Sequence, residues 1–211
     1  MNAPPDRDAA LAQYRRRAPF YDFELLAFEP VRRRAVQALG LQPGQTVLDV
    51  GCGTGLSFPL LAPLVGPRGR VIGIEQCPEM AEGARRRARE AGWSQVRVLE
   101  SPAESADFPE RAHAALFVFT HDVLMCEAAV RNVLDHLRPG ARVVATGLQW
   151  APAWAMPVNL FVLGAALYSV TTLGALDAPW RTLAPHLNGM TLEALMAGGV
   201  YLAAGNVGPP Q

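Results

Sequence analysis

Lysine is missing from all 211 residues, because the nineteen basic side chains are all arginine. No lysine Schiff base and no lysine general base can therefore form. Nineteen acidic residues bring the formal net charge to zero. No long-range field then draws in nucleic acid, and a DNA or RNA substrate is disfavoured. Cysteine is scarce as well. Cys52, Cys77 and Cys126 have no metal-ligand spacing and are too far apart in sequence to read as a disulfide framework. No metal site is expected, and a reduced, cytoplasmic setting fits. The opening run MNAPPDRDAALAQ carries acids and no apolar core, which argues against a secretory signal. A further absence is local: residues 143–176 hold not one charged side chain.

What is present is a chain long enough for one α/β domain, 50% hydrophobic by composition. Its organising stretch is Thr46 to Leu61, TVLDVGCGTGLSFPLL. Val47, Leu48 and Val50 suit a short strand covered on both faces. Gly51, Gly53 and Gly55 supply a turn without Cβ atoms that can approach a ligand closely, and the following helix aims its free N–H groups at the same spot. A dinucleotide site uses a similar turn. Asp49, however, stands at the strand end, where a carboxylate would repel a pyrophosphate but hold a cationic amine. Glu75 closes the next apolar strand, RVIGI, and can accept hydrogen bonds from ribose hydroxyls. A ligand with a cation at one end and a ribose at the other fits S-adenosylmethionine better than a nucleotide diphosphate.

VLDVGCGTG resembles the first motif of the class I S-adenosylmethionine-dependent methyltransferases. VIGIEQCPEM, Val71 to Met80, resembles their second, V-x-G-[ID]-[DE]-x-S-x-x-M. The resemblance covers roughly residues 14–148. It implies that Asp49, Gly51, Cys52, Gly53 and Gly55 line the methionine end of the cofactor, that Glu75 binds the ribose, and that Gln76 and Met80 pack near the adenine. Tyr14 to Asp22 resembles the Y-x-x-x-A-x-x-Y-D signature of quinone-biosynthesis and phospholipid-methylating members. There the segment folds over the cofactor, so Tyr21 is expected at the cofactor and Tyr14 at the acceptor; the alternative is that both rings pack an N-terminal helix onto the domain. Two positions depart from the family. Pro102 stands where it has an Asp near the adenine amine, which leaves Ala103 backbone groups or Glu104 for adenine recognition. His113 replaces the Asp that usually opens the fourth strand.

Alternation of strands and helices predicts a mostly parallel sheet with right-handed crossovers and ligands at the carboxyl ends of its strands. With the resemblance, the expected fold is a Rossmann-like, seven-stranded α/β sheet with helices on both faces and an antiparallel C-terminal hairpin. Its expected parts are a helical cap (1–40), a cofactor-binding core (41–148), an apolar lid (149–188) and closing strands (189–207). Helices are expected over 57–65, 80–91, 128–137, 158–176 and 177–187, and strands over 70–74, 96–99, 113–119, 191–196 and 200–204. The triplets Arg15–Arg17 and Arg32–Arg34 read as solvated helix faces.

The uncharged segment has nearly the length of a membrane span. It contains Asn159, Ser169, Thr171 and Thr172, and it sits between strands of one sheet. A buried lid, a dimer-forming helix and interfacial contact with a bilayer remain open. Trp150, Trp154 and Met156 suit a hydrophobic or amphiphilic acceptor, lipid-like molecules included, and the exclusion of water.

Methyl transfer from a sulfonium chiefly requires alignment. A hydroxyl or carbon-acid acceptor also benefits from a base. Thr120 is expected at the cofactor; His121, with Asp122, is the expected base or acceptor-orienting group. The competing functions are a phospholipid headgroup N-methyltransferase, a nicotinamide-dependent oxidoreductase and a cofactor-binding protein without chemistry.

Overall fold

A computed structural model describes residues 25–169 and 176–208. Tyr14 and Tyr21 lie outside them. The first helix among the described residues, α1 (Glu29–Ala38), follows a single turn at Leu26–Phe28. Strand β1 (Thr46–Val50) leads through the glycine turn into α2 (Phe58–Val65). Then follow β2 (Arg70–Glu75), α3 (Pro78–Glu90), β3 (Val96–Glu100), β4 (Ala112–Val118), two consecutive helices α4 (His121–Met125) and α5 (Glu127–Asp135), and β5 (Leu137–Leu148). After α6 (Met156–Ser169) the chain closes with β6 (Leu187–Leu195) and β7 (Val200–Val207).

The seven strands form one sheet in the order β3-β2-β1-β4-β5-β7-β6. The first five are parallel, and β7 runs antiparallel between β5 and β6. This is the expected Rossmann-like arrangement with its antiparallel hairpin. The chain doubles back at β1/β4, because β1 is followed outward by β2 and β3 and β4 begins the other half. A crevice opens at such a switch point, above the carboxyl ends of both strands.

Strand period sends alternate residues of β1 to opposite faces. Leu48 and Val50 join Ile72, Ile74, Phe117, Leu124 and Val130 in one core. Val47 joins Val36, Phe58, Leu61, Val71 and Leu116 in the other, beneath α1 and α2. Asp49 falls on the Val47 face and is 1% exposed, so the fold carries a carboxylate into the interior at the strand end. Gly73, its partner on β2, makes room there: a Cβ at that position would stand 2.8 Å from both Cys52 Sγ and the Phe58 ring.

Residues 177–187 were expected to be helical and are not. They form turns and a short 3-10 segment, Ala184–His186, because Pro179 and Pro185 remove backbone donors that a longer helix needs. The helix over 158–176 is observed as Met156–Ser169. Among the described residues no helix is long and apolar enough to cross a membrane. Its buried side, with Val162 and Ala166, packs against Phe28, Leu148, Leu176 and Val200. Asn159 ties its first turn to the preceding loop through hydrogen bonds with the Ala151 N–H (2.9 Å) and C=O (3.2 Å).

Candidate functional site

The turn after β1 takes the shape its glycines allow: Gly51, Gly53 and Gly55 have φ of 66°, 56° and 79°, where side chains with a Cβ are strained. Gly51 is also needed for space, since a Cβ there would lie 2.4 Å from Thr120 Cγ2. Gly55 serves packing, with the Phe58 ring 2.6 Å from where its Cβ would be. Across the turn, Glu75 accepts hydrogen bonds from the Gly53 N–H (2.9 Å) and the Cys77 N–H (2.8 Å), one on each oxygen. Burial raises its pKa, and the backbone donors oppose the shift. The Gln76 N–H is a further backbone donor to the same group, and since a carboxylate can accept about four hydrogen bonds, Glu75 retains acceptor capacity.

A cavity of ≈ 60 Å³ opens beside these groups. Gly51, Gly53, Glu75, Gln76 and Met80 form one wall, Ser101, Ala103 and Glu104 a second, and Phe119, Thr120, Asp122 and Val123 the far end. Most of the sequence-predicted cofactor residues therefore meet around one space. The loop after β3 supplies Ala103 and Glu104 as expected, together with Ser101, which sequence reading had left aside. Asn132 on α5 pins this loop by donating to the Ala103 and Ala106 carbonyls at 2.8 and 3.0 Å.

Asp49 and Cys52 face a second, smaller cavity of ≈ 20 Å³, lined also by Leu25, Arg32 and Ser57; Gly51 borders both spaces. Burial pushes Asp49 up to about 7, against the lowering influence of the Arg32 guanidinium and a Ser57 hydrogen bond. Its Oδ2 is buried without a hydrogen-bond partner, as is the Thr120 hydroxyl. Orphaned buried acceptors of this kind point to a missing donor.

The expected catalytic pair divides. Asp122 lines the larger cavity and His121 does not. The His121 ring is 7% exposed with an unpartnered Nε2, and burial lowers its pKa against the pull of Asp122. Trp150, Trp154 and Met156, expected at the acceptor, also stay off the cavity. Trp150 is half-buried against the Phe28 cluster, while Trp154 and Met156 are 82% and 71% exposed. His113 sits at the opposite end of β4, where its Nδ1 accepts the Thr46 N–H at 3.1 Å. Among the described residues no group of three or more His, Cys, Asp or Glu could hold a metal ion.

Phe119 was read as the last residue of β4. The strand stops at Val118, and Phe119 turns to φ 56°, a left-handed conformation rare for a bulky side chain. Its N–H donates to the Thr146 carbonyl at 2.8 Å, and its ring lies 4.7 Å from that of Phe28. No local signal in Val-Phe-Thr announces this. It follows from the β4–β5 pairing and from the contact with Phe28.

The methyltransferase-domain family matches residues 47–140. Protein-L-isoaspartate O-methyltransferase of Aeropyrum pernix is 37% identical over 114 residues, 53% of this chain and 42% of that protein. Aklanonic acid methyltransferase DauC of a Streptomyces species is 34% identical over 124 residues, 56% of this chain and 55% of that protein. The chain thus spans about half the length of these relatives. In fold, it is similar to the N-methyltransferase NodS of Bradyrhizobium japonicum crystallised with S-adenosylhomocysteine: TM-score 0.69, 16% identity, 94% of this chain and 98% of that one. Residues 47–140 thus resemble the class I S-adenosylmethionine-dependent methyltransferases. The cofactor of that class fits the residues present. The site offers a carboxylate with spare acceptor capacity at the end of β2, bare backbone at Gly51 and Gly53, and an unpartnered buried acid oxygen one turn away.

Proposed function

We propose that this chain transfers a methyl group from S-adenosylmethionine to a small organic acceptor. The observation that carries the reading is the placement of Glu75, tied to the glycine turn and facing the larger cavity, where it accepts from a ribose. The bound donor supplies an activated methyl on sulfur, so the chain's own work is to orient the two reactants and keep water out. Glu75 holds the sugar, Met80 and Ala103 flank the base, and the Thr120 hydroxyl supplies a hydrogen bond at the methionine end. Phe119 and Val123 form the acceptor end of the cavity, and Asp122 takes or orients the acceptor's proton. His121 positions Asp122 from the start of α4. The relatives support an oxygen acceptor, since two of them are named for O-methylation or for methylation of an organic acid. Incubation with methyl-labelled S-adenosylmethionine and a panel of phenols, carboxylic acids and amines tests the proposal. Label transferred to at least one class is expected; no transfer together with no binding of S-adenosylhomocysteine would overturn it.

A lipid-like acceptor reached at a membrane surface is the second reading, supported by the apolar outer side of α6. Met156, Leu160, Phe161 and Leu167 are all more than half exposed there, next to Trp154. Exposed patches of this sort mark interaction surfaces. Co-sedimentation with phosphatidylglycerol vesicles separates the readings: pelleting of the protein favours the lipid, and concentration-dependent dimerisation without pelleting favours a second copy of the chain.

A further inference from the structure

The turn that joins β6 to β7 is strained. Met196 and Ala197 hold φ of 48° and 55°, in the left-handed region where glycine, asparagine or aspartate is the ordinary occupant. Contacts outside the turn keep it so. The Gln149 side chain donates to the Gly198 carbonyl at 3.0 Å, and the Gln149 N–H donates to the Gly199 carbonyl at 3.0 Å. Gly199 also lies close against α6, since a Cβ there would stand 2.8 Å from Val158 Cγ1 and 3.1 Å from Val162 Cγ2. Backbone held in such a state collects at sites that clamp a ligand.

Beside this turn is a pocket of ≈ 250 Å³, formed by Pro157, Val158 and Phe161 of α6 and by Met196, Gly199 and Val200 of the hairpin. None of these six residues has a charged or hydrogen-bonding side chain, so they anchor no polar group, whereas an alkyl chain or a ring gains by leaving water there. Met196, one of the two strained residues, is 43% exposed and brings a flexible thioether to the wall. A row of rings links this pocket to the larger cavity. The Phe161 ring lies 6.3 Å from that of Phe28, and Phe28 lies 4.7 Å from Phe119, which lines the far end of the larger cavity. Phe28 thus stands between a wall of the pocket and a wall of the cavity.

We infer that this pocket holds the apolar end of the acceptor, whose reacting group lies beyond Phe28 at Phe119 and Val123. The inference rests on the function proposed above and gives the acceptor a class: an amphiphile with a polar end that is methylated and an alkyl or aryl tail. The tail needs no membrane, because Trp154 and Met156 on the outer side of α6 do not line the pocket. At about 30 Å³ for each group the size of a water, ≈ 250 Å³ has room for a tail of up to about eight methylenes. Each methylene that leaves water is expected to tighten binding about three- to fourfold. The strained turn matters because a pocket already formed spares the ligand the cost of opening it.

The test is solution NMR of the unaltered protein with isotope-labelled methionine and valine methyls, in excess S-adenosylhomocysteine, with 4-hexylphenol and 4-hexylaniline as probes. Met80 and Val123 report the two ends of the larger cavity, Met196 reports the pocket, and Met156 reports adsorption to the outer side of α6. For at least one probe, chain protons are expected to contact the Met196 methyl and ring protons the Val123 methyls, with Met156 unmoved. By calorimetry that probe should bind at least about tenfold more tightly than phenol or aniline, and Phe161→Ser should erase most of the gain while leaving S-adenosylhomocysteine within about twofold. Chain contacts that miss Met196, or that are equal at Met156 and Met196, overturn the inference; the NMR decides even if Phe161→Ser does not fold. Contacts at Met196 without contacts at Val123 mark a site unconnected with the acceptor and also overturn it, as does a gain that survives in Phe161→Ser. In all these cases a Met80 methyl shifted by S-adenosylhomocysteine leaves the methyltransferase reading intact. Failure of S-adenosylhomocysteine to bind or to shift Met80 overturns both.

Discussion

The Gly53 N–H donates to Oε2 of Glu75 at 2.9 Å, joining residues 22 apart in sequence and locking the glycine turn to the end of β2. One side chain therefore has two duties: it fixes the turn, and it faces the larger cavity.

Glu75→Gln separates these duties poorly, and both are expected to suffer. The amide nitrogen can only oppose one of the two backbone N–H groups, leaving a buried donor unpaired at a cost of about 2 kcal/mol. Thermal denaturation of the ligand-free protein should show that loss. Titration with S-adenosylhomocysteine should show at least a tenfold loss of affinity. Unchanged affinity in a folded variant would remove Glu75 from the ribose site.

Asp49 is expected to make binding depend on pH. Burial pushes it up to about 7 from its ordinary 3.8, with Arg32 and Ser57 pulling it down and Glu75 adding to the rise. The folded protein binds this proton more tightly than the unfolded chain. Its contribution to stability is therefore present below about pH 4 and is lost as pH rises toward 7. A ligand ammonium needs the ionised form, so affinity for S-adenosylhomocysteine is expected to climb between pH 5.5 and 7 by up to about tenfold per unit, then level off. In Asp49→Asn the affinity should be lower and flat across that range. A flat profile in the unaltered protein would contradict the assignment.

Gly51→Ala meets two obstacles. The alanine must adopt φ near 66°, and its Cβ would lie 2.4 Å from Thr120 Cγ2. Together these should cost roughly 2 kcal/mol or more. Thr120→Ser removes that methyl. The double variant should therefore be more stable than Gly51→Ala alone, by chemical denaturation, while staying below the unaltered protein because the backbone strain remains.

Phe119→Asn keeps a residue that tolerates the left-handed region but removes the ring from the far end of the cavity. Binding of S-adenosylhomocysteine should stay within about threefold, and KM for the acceptor should rise about tenfold or more once an acceptor is known. The reverse pattern would place Phe119 at the cofactor.

Trp154→Ala and Met156→Ala discriminate between a lid and an outer surface. With both side chains exposed and off the cavity, each change should leave stability within about 0.5 kcal/mol and KM for a soluble acceptor unaltered. A raised KM in either variant would bring α6 over the acceptor during turnover.

Read by itself, the amino-acid sequence determined the alternation of strands and helices, the glycine turn and the acids at the ends of β1 and β2. These are local matters: period-two burial, glycine's access to positive φ, and the placing of a polar residue where an apolar run stops. Tertiary packing decided the rest. Arg32 looks like Arg33 and Arg34 until α1 is laid on the Val47 face of the sheet, which turns one of the three inward beside Asp49. His121 and Asp122 are equivalent neighbours in sequence, and only the start of α4 sends one into the protein and the other to the cavity. Phe119 continues an apolar strand in sequence and leaves it in space, because its N–H is held by Thr146 and its ring by Phe28. Each outcome depends on a contact between distant segments, which neither periodicity nor a motif encodes.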